Sequence, residues 1–310
     1  MTRPSLPLLV ALACCGAGLP LASAPQSAAG AAEYSPAGAD TCLMCHSNDA
    51  VLGIFRTRHA MPSDPRGPFG HGQLQCESCH GPGGAHAGMQ QFDGQMAQVI
   101  RFGRERPAPV ETRNAACLGC HDADMGFATH GGAHDDNRIA CASCHQLHSP
   151  TDAVLGRSTQ AGKCYECHAQ RRSDSLKAYS HPLREGKMSC SGCHAPHGAT
   201  TEALLVRQTT NDTCYQCHAE KRGPFLWEHA PVAEDCTSCH DPHGSNQPGM
   251  LVRRAPLLCQ SCHSQSGHPS VAQDAGGLAG NSPYLLAQGC LNCHSQVHGS
   301  NHPSGSKLMR

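Results

Sequence analysis

Cysteine and histidine are the side chains in this sequence whose number and spacing point to chemistry. The 310 residues include 22 Cys and 23 His. Twenty of the cysteines form ten Cys-x-x-Cys pairs, and His follows each pair directly. The paired cysteines are Cys42 and Cys45, Cys76 and Cys79, Cys117 and Cys120, Cys141 and Cys144, Cys164 and Cys167, Cys190 and Cys193, Cys214 and Cys217, Cys236 and Cys239, Cys259 and Cys262, and Cys290 and Cys293. The histidines that follow them are His46, His80, His121, His145, His168, His194, His218, His240, His263 and His294.

Cys-x-x-Cys-His is the attachment motif of c-type haem. Two thiols at this spacing reach the two vinyl groups on one edge of a porphyrin, and the adjacent His reaches the iron as proximal ligand. Zinc sites also use Cys-x-x-Cys, but they do not require His at the next position in every copy. A disulfide framework or a set of redox dithiols would not repeat this spacing ten times. The sequence therefore predicts ten covalently bound c-type haems.

The remaining thirteen histidines are candidates for the second axial ligand of each iron. The chain repeats a two-haem module: one motif, a linker that supplies one His, a second motif, and a trailing His three to six residues after the second proximal His. The linker histidines are His59, His134, His181, His229 and His268, and the trailing ones are His86, His148, His197, His243 and His298. These ten are the predicted distal ligands.

The second linker contains two histidines, His130 and His134. We choose His134 because it follows its proximal His by 13 residues, as His59 and His181 do. His71, His130 and His302 are then surplus and expected to be exposed. Met is the competing distal ligand and would raise the reduction potential, but the nine Met residues do not recur at a fixed position in the modules.

Ten distal histidines are enough for every iron to be ligated by two imidazoles. Substrate chemistry would require an open iron, so the sequence favours an electron-transfer protein over an enzyme. A trailing His lies too close to its own proximal His to reach the far face of the same haem. We therefore expect trailing histidines to bind neighbouring haems and to join modules. Low reduction potentials are expected for haems ligated in this way.

The composition predicts an unusual interior. Aromatic residues make up 4% of the chain, and Gly and Pro number 33 and 22, which disfavours long helices and strands. We predict a multihaem c-type cytochrome with short α-helices and irregular loops wrapped around an extended haem chain, with little or no β-sheet. The net charge of −1 gives no electrostatic case for binding nucleic acid. The charged connector at 101–113 is interpreted either as a solvated surface loop or as a docking surface for a redox partner.

The first 24 residues have the features of an export signal. Arg3 precedes an apolar stretch at 6–21, and Ala22-Ser23-Ala24 fits a small-residue cleavage site. A membrane anchor and a lipid-attachment site at Cys14 are the alternatives. Cleavage would remove Cys14 and Cys15, and residues 25–39 would form an N-terminal linker.

A resemblance to a known family rests on the ten motifs, on the segment FRTRHAMPSDPRGPFGHGQLQCESCHGPGGAH at 55–86 and on the ending CHSQVHGSNHPSGSKLMR at 293–310. The chain resembles the periplasmic decahaem cytochromes of porin–cytochrome conduits, the MtrA/PioA/DmsE family. The resemblance spans essentially the whole chain after residue 24. It implies two pentahaem halves, 40–175 and 176–310. The repeat itself instead gives five two-haem modules that begin near 42, 117, 164, 214 and 259.

The resemblance also implies a location and partners. Members of the family pass electrons between the periplasm and the outer face of the outer membrane inside a β-barrel partner, in metal or sulfoxide reduction or in iron oxidation. The implied redox partners are an outer-surface cytochrome or terminal reductase and periplasmic or inner-membrane cytochromes. A soluble periplasmic electron carrier is the alternative function, and a multihaem reductase is a weaker one.

Overall fold

The structure, a computed structural model, describes residues 33–125, 132–201, 203–263 and 289–309. The predicted signal peptide and most of the predicted linker that follows it lie outside these residues. The α-helices are α1 (Ala39–Leu43), α2 (Asp49–Leu52), α3 (Glu77–His80), α4 (Gly84–Ala87), α5 (Val110–Met125), α6 (Ala133–Asp136), α7 (Cys141–Cys144), α8 (Gln160–Cys164), α9 (Ala169–Asp174), α10 (Thr210–Tyr215), α11 (Ala230–Glu234) and α12 (Ala255–Gln260). Single 3₁₀ turns are formed by Gly53–Arg56, Arg58–Ala60, Cys190–Gly192, Ala219–Lys221, Cys236–Ser238, Pro248–Met250, Cys290–Asn292 and Gly305–Lys307.

Most of these helices have only four to six residues, too few to persist in water without tertiary support. Helix α5 is the exception, with 16 residues. It begins just after Pro107 and Pro109, and its first turns are rich in good helix formers such as Ala115 and Ala116. The third motif lies within α5, so this haem site is carried by the longest helix of the described chain.

The described residues contain one small sheet. Strands β1 (Gln91–Phe92) and β2 (Gln95–Met96) pair antiparallel, with Gln91 opposite Met96. Asp93 and Gly94 connect them, both with positive φ, as a tight two-residue hairpin turn requires. Short helices, irregular loops and this minimal sheet confirm the predicted fold class. No helix in the described ranges has the length and apolarity of a membrane span.

Side chains do not form an ordinary core in the described chain. Its buried apolar residues are four alanines and Ile54. A continuous cavity of about 4770 Å³ instead runs along the molecule, several times the roughly 300–1,000 Å³ of a usual small-ligand pocket. Its lining includes the first cysteine and the His of all ten motifs. The short helices and loops therefore surround a space that the motifs face.

Candidate functional site

Each motif is folded as a single helical turn. The backbone N–H of the motif His donates to the carbonyl of the first cysteine at 2.9–3.0 Å in nine motifs, for example from His46 to Cys42. The tenth motif lies within helix α5. A helical turn brings residues three and four positions apart onto one side. Both thiols and the imidazole of a motif are thereby presented to the same region of the cavity.

Nine of the predicted distal histidines lie opposite a motif His. The ring centroids of each pair are 5.9–6.3 Å apart. The pairs, motif His first, are His46–His86, His80–His148, His121–His59, His145–His197, His168–His134, His194–His243, His218–His181, His240–His298 and His263–His229. The predicted distal ligand His268 lies outside the described residues.

This separation fits one metal ion between two imidazoles. Two metal–nitrogen bonds of about 2 Å each, with a ring centroid roughly 1 Å behind each nitrogen, place the centroids about 6 Å apart. A direct hydrogen bond or ring stack would bring the two rings closer together. Two thiols beside every motif His complete the donor set for a haem attached at one edge and ligated on both faces. The residues present therefore fit c-type haem.

The pairs follow one rule along the repeat. A linker His faces the first motif of the following module, as His59 faces His121. A trailing His faces the second motif of the preceding module, as His148 faces His80. The first module begins the series differently, because its trailing His86 faces its own first motif. Each described boundary between modules is thus crossed by two His pairs that run in opposite directions.

The structure places His134, the histidine chosen within the second linker, opposite a motif His, at 6.1 Å from His168. His130 lies outside the described residues. His71 and His302, the other surplus histidines, are exposed, and the His302 ring accepts hydrogen bonds from Ser304.

Seven of the eighteen paired histidines, and the motif histidine His294, are oriented by a carbonyl group at Nδ1. Carbonyl oxygens accept from Nδ1 of His80, His86, His134, His181, His194, His229, His240 and His294 at 2.6–2.9 Å. A proton held at Nδ1 leaves Nε2 as the free lone pair, which is the arrangement of a metal-ligating imidazole. Two rings differ: His145 faces the Asp152 carboxylate, and His243 lies 3.1 Å from the Arg171 guanidinium.

The linker of one module is held against the trailing segment of the next by these same bonds. Nδ1 of His134, His181 and His229 donates to Pro196, Pro242 and Val297, each the residue before a trailing His. Backbone bridges add to this contact, as between Tyr179 and Ser245. The linker His and the trailing His of such a joint, both predicted distal ligands, are therefore placed by one shared piece of structure.

Glycine allows this close approach. Gly244 directly follows a trailing His and has φ of 140°, and a Cβ there would overlap the carbonyl oxygen of Asp174 in the preceding linker. At the joint between the first two modules, Gly53 of the linker lies against the His148 carbonyl in the same way. The glycine belongs to the trailing segment in one joint and to the linker in the other. In each of these two joints, one of the two segments therefore has a glycine at the point of contact.

The cysteines give the order of the motifs in space. Within each module, the two first cysteines lie close enough for one thiol to affect the pKa of the other: Cys42–Cys76, Cys117–Cys141, Cys164–Cys190, Cys214–Cys236 and Cys259–Cys290. Between modules, the second cysteines are electrostatic neighbours, in that the charge of one raises the pKa of the other: Cys79–Cys120, Cys144–Cys167, Cys193–Cys217 and Cys239–Cys262. Each motif therefore neighbours the motifs before and after it, and the ten sites form a line in sequence order.

Burial favours the neutral form of several distal and proximal imidazoles. It lowers the pKa of His59, His80, His197, His243 and His298 from the usual value, and nearby histidines or cations lower it further. A neutral imidazole has the free lone pair that a metal requires. All twenty motif cysteines are free of disulfides, and burial raises the pKa of thiols such as Cys79 and Cys193. At these five histidines the neutral imidazole is therefore favoured, and so is the protonated thiol at Cys79 and Cys193. Two thiols differ, because a hydrogen bond from the neighbouring first cysteine lowers the pKa of Cys141 to about 6 and that of Cys190 to about 7.

Sequence reasoning did not identify the residues that orient the ligands. Ile100 accepts from His80 Nδ1, and the Phe102 ring packs edge-on against His80 at 5.3 Å. Phe102 at the start of the charged connector, and Ile100 just before it, therefore position the motif histidine His80. Backbone acceptors leave no signature in a sequence. Asp152, an acidic residue seven positions after the motif histidine His145, is a visible signal of a side-chain acceptor that the sequence analysis did not use.

Comparison with known proteins gives two matching sequence families. The family described as a doubled CXXCH motif matches residues 181–223 and 229–268. The family described as cytochrome c-type protein NrfB-like matches residues 76–161. Both descriptions agree with covalent c-type haem binding at the motifs.

Individual relatives are also cytochromes. The chain is 46% identical to the multihaem cytochrome MtrA of Shewanella baltica over 282 residues, which cover 89% of this chain and 83% of that protein. It is 28% identical to the cytochrome c-type protein NrfB of Haemophilus influenzae over 42% of this chain and 65% of that one. The polyhaem cytochrome OmcB of Geobacter sulfurreducens is 28% identical over 51% of this chain and 20% of its own length.

A solved structure, the undecahaem cytochrome from the S-layer of Carboxydothermus ferrireducens, aligns with a TM-score of 0.17 and 18% identity. The alignment covers 76% of this chain and 45% of that one, and the likeness is too weak to define a shared fold.

Proposed function

Since this chain belongs to the MtrA family of multihaem c-type cytochromes, we propose that it conducts electrons along ten haems arranged in sequence order. Electron transfer is the activity of the class. The proposal concerns the number of haems, their ligation by two histidines each, and the path that they form.

The linear order of the cysteine contacts supports this path most directly. The cysteines hold one edge of each haem, so interacting cysteines of successive motifs place successive haem edges side by side. From Cys42 to Cys290, successive motifs are neighbours alternately through their first cysteines, within a module, and through their second cysteines, between modules. Haems arranged in this way would form an unbranched series in which an electron moves from each haem to the next.

Saturated ligation supports conduction over catalysis. Nine motif histidines have an opposed imidazole at a distance that fits one iron. An iron with two protein ligands and four porphyrin nitrogens has no position for a substrate. The haems would supply reversible one-electron chemistry, and the opposed histidines would hold the iron of each described pair.

The conduit lies, in our proposal, inside an outer-membrane β-barrel. Identity to MtrA over most of both chains and the resemblance of residues 55–86 and 293–310 to the porin–cytochrome family support this placement. The N-terminal haems would then receive or deliver electrons in the periplasm, and the C-terminal haems would meet an outer-surface cytochrome or terminal reductase. Conduction along such a series is symmetric, so the direction follows from the donors and acceptors at its two ends.

Haem stoichiometry and co-purification test this proposal. The intact mass of the mature protein should exceed that of the polypeptide by ten haems. Mild detergent extraction of outer membranes, affinity capture of this chain and mass spectrometry should recover an outer-membrane β-barrel protein in equal amount. A known periplasmic protein serves as the control for incomplete washing. Complete release of the chain by periplasmic extraction, with no barrel protein, would instead identify it as a soluble periplasmic carrier.

A further inference from the structure

A carboxylate stands behind one proximal histidine where the equivalent histidines have carbonyl groups. The second motif of every module has a His whose Nδ1 donates to a residue farther along the chain. Carbonyl oxygens accept in four modules: Ile100 from His80 at 2.8 Å, Ala203 from His194 at 2.8 Å, Gly249 from His240 at 2.7 Å and Lys307 from His294 at 2.6 Å. In the second module, Asp152 Oδ2 accepts from His145 at 2.7 Å.

Asp152 is held rigidly in this position. Its side chain is 11% exposed, and the backbone N–H of Val154 donates to its second oxygen, Oδ1, at 3.3 Å. Within the described ranges, no Lys or Arg nitrogen lies within 4 Å of this carboxylate, and His145 is its partner for an ion pair. A buried carboxylate without a cation is costly, so a positive charge on the far side of His145, as an iron held there would supply, would stabilise it.

We propose that Asp152 gives the haem of the fourth motif a lower reduction potential than the haems whose proximal His donates to a carbonyl group. This rests on the proposed function, because it concerns the haem-loaded chain. A carboxylate acceptor raises the basicity of the ligating imidazole. A more basic imidazole and a nearby negative charge both favour the ferric state, which carries one more positive charge than the ferrous state. Asp152 does not contact the iron and acts through His145 as a positioning residue.

The consequence is an uneven path. The fourth site lies between the third and fifth through Cys141–Cys117 and Cys144–Cys167. If the haem at the fourth site is harder to reduce than its neighbours, it would be reduced after them and would be oxidised before them. Every electron that crosses the molecule would meet this step, in either direction.

Replacing Asp152 by Asn tests the charge while it keeps the hydrogen bond, because the amide oxygen still accepts from His145. In a redox titration of the full haem-loaded protein, we expect a component of about one tenth of the haem absorbance to move to higher potential. At the potential where that component is half reduced in the wild type, its ferric-to-ferrous ratio in the variant should be about tenfold lower. For a one-electron couple this corresponds to a rise in the midpoint potential of about 59 mV. Asp152→Glu keeps the charge and should stay close to the wild type. Glu185→Gln removes an exposed carboxylate that pairs with Arg184 and should change nothing.

The wild-type protein provides a second measurement that needs no variant: one tenth of the haem should titrate at the low-potential end. The inference is wrong if no such component exists, if D152N superimposes on the wild type, or if E185Q shifts the same component. A protein with ten haems and a barrel partner but no shift in D152N would refute the role of Asp152 and leave the proposed function standing. A protein without ten haems would refute the proposed function itself.

Discussion

Replacing His148 by Ala removes the predicted distal ligand of a haem that is attached to a different module. His148 follows the fourth motif, yet its ring lies 6.1 Å from that of His80 in the second motif. Alanine leaves one iron of ten without a protein ligand on one face. We expect about one tenth of the oxidised haem to become five-coordinate and high-spin, while the other nine irons keep their low-spin spectra.

The same substitution removes a cross-link. The haem is fixed to Cys76 and Cys79, so a bond from its iron to His148 would close a loop in the chain. This loop runs from His80 to His148, which are 68 positions apart. The chain-entropy relation for a cross-link of that span gives about 4 kcal/mol. Ligation by other histidines in the unfolded chain would reduce this figure. We therefore expect the free energy of unfolding to fall by up to about 4 kcal/mol.

Ferric absorption and electron paramagnetic resonance spectra, with guanidinium unfolding, measure both effects. Added imidazole should return the high-spin fraction to low spin, because it fills the position that the side chain has left. His71→Ala is the matched control, since His71 is exposed and has no facing motif His. An H148A protein with an unchanged oxidised spectrum would refute the pairing, and so would a high-spin fraction of equal size in H71A.

Two further predictions concern the framework between the ligands. Gly244→Ala should destabilise the protein by about 1–3 kcal/mol or more in chemical unfolding, because alanine is strained at this φ and would overlap the Asp174 carbonyl. Gly249→Ala is the control: its φ is also positive but the space around it is open, so it should cost only the strain of the backbone. Equal losses of stability in the two variants would contradict the contact between Gly244 and Asp174. The pKa of the Asp174 carboxyl lies below its usual value chiefly because Lys177 donates to it. Its stabilising effect is therefore fully present above the ordinary aspartate pKa of about 3.9 and is lost as the pH falls below that value through the lowered pKa. Lys177→Met should weaken the acid dependence of the unfolding midpoint, and an unchanged acid limb would count against this role.

The sequence was sufficient to predict the chemistry and the class of fold. The ten motifs are local, because two thiols and one imidazole within five residues meet on a single helical turn such as Cys42–His46. Short elements follow from the frequency of Gly and Pro. The repeat also identified which histidines would be near haems, and nine of them now lie opposite a motif His.

The partner of each histidine could not be predicted, because pairing depends on how modules pack. His59 and His148 both belong to stretches that look alike in every module, and no spacing shows that one points forward and the other backward along the chain. The glycines that permit this packing, such as Gly53, act through backbone contact. Carbonyl acceptors such as that of Ile100 are present at every position of a sequence. These features appear only when residues that are distant in the sequence, such as Gly53 and His148, are brought together.

The pairing also bears on the two descriptions of the chain, as five two-haem modules or as two halves divided after residue 175. A division between modules would separate two His pairs, whereas a division after 175 separates only His145 from His197. We therefore predict that 40–175 and 176–310, expressed as separate haem-loaded chains, each retain most of their ligation. The first should contain one five-coordinate haem of five, at the fourth motif, and mixing with the second should return that haem to low spin as His197 binds. Two or more high-spin haems in the first half, or no recovery on mixing, would show that the pairing across the division differs from that in the structure.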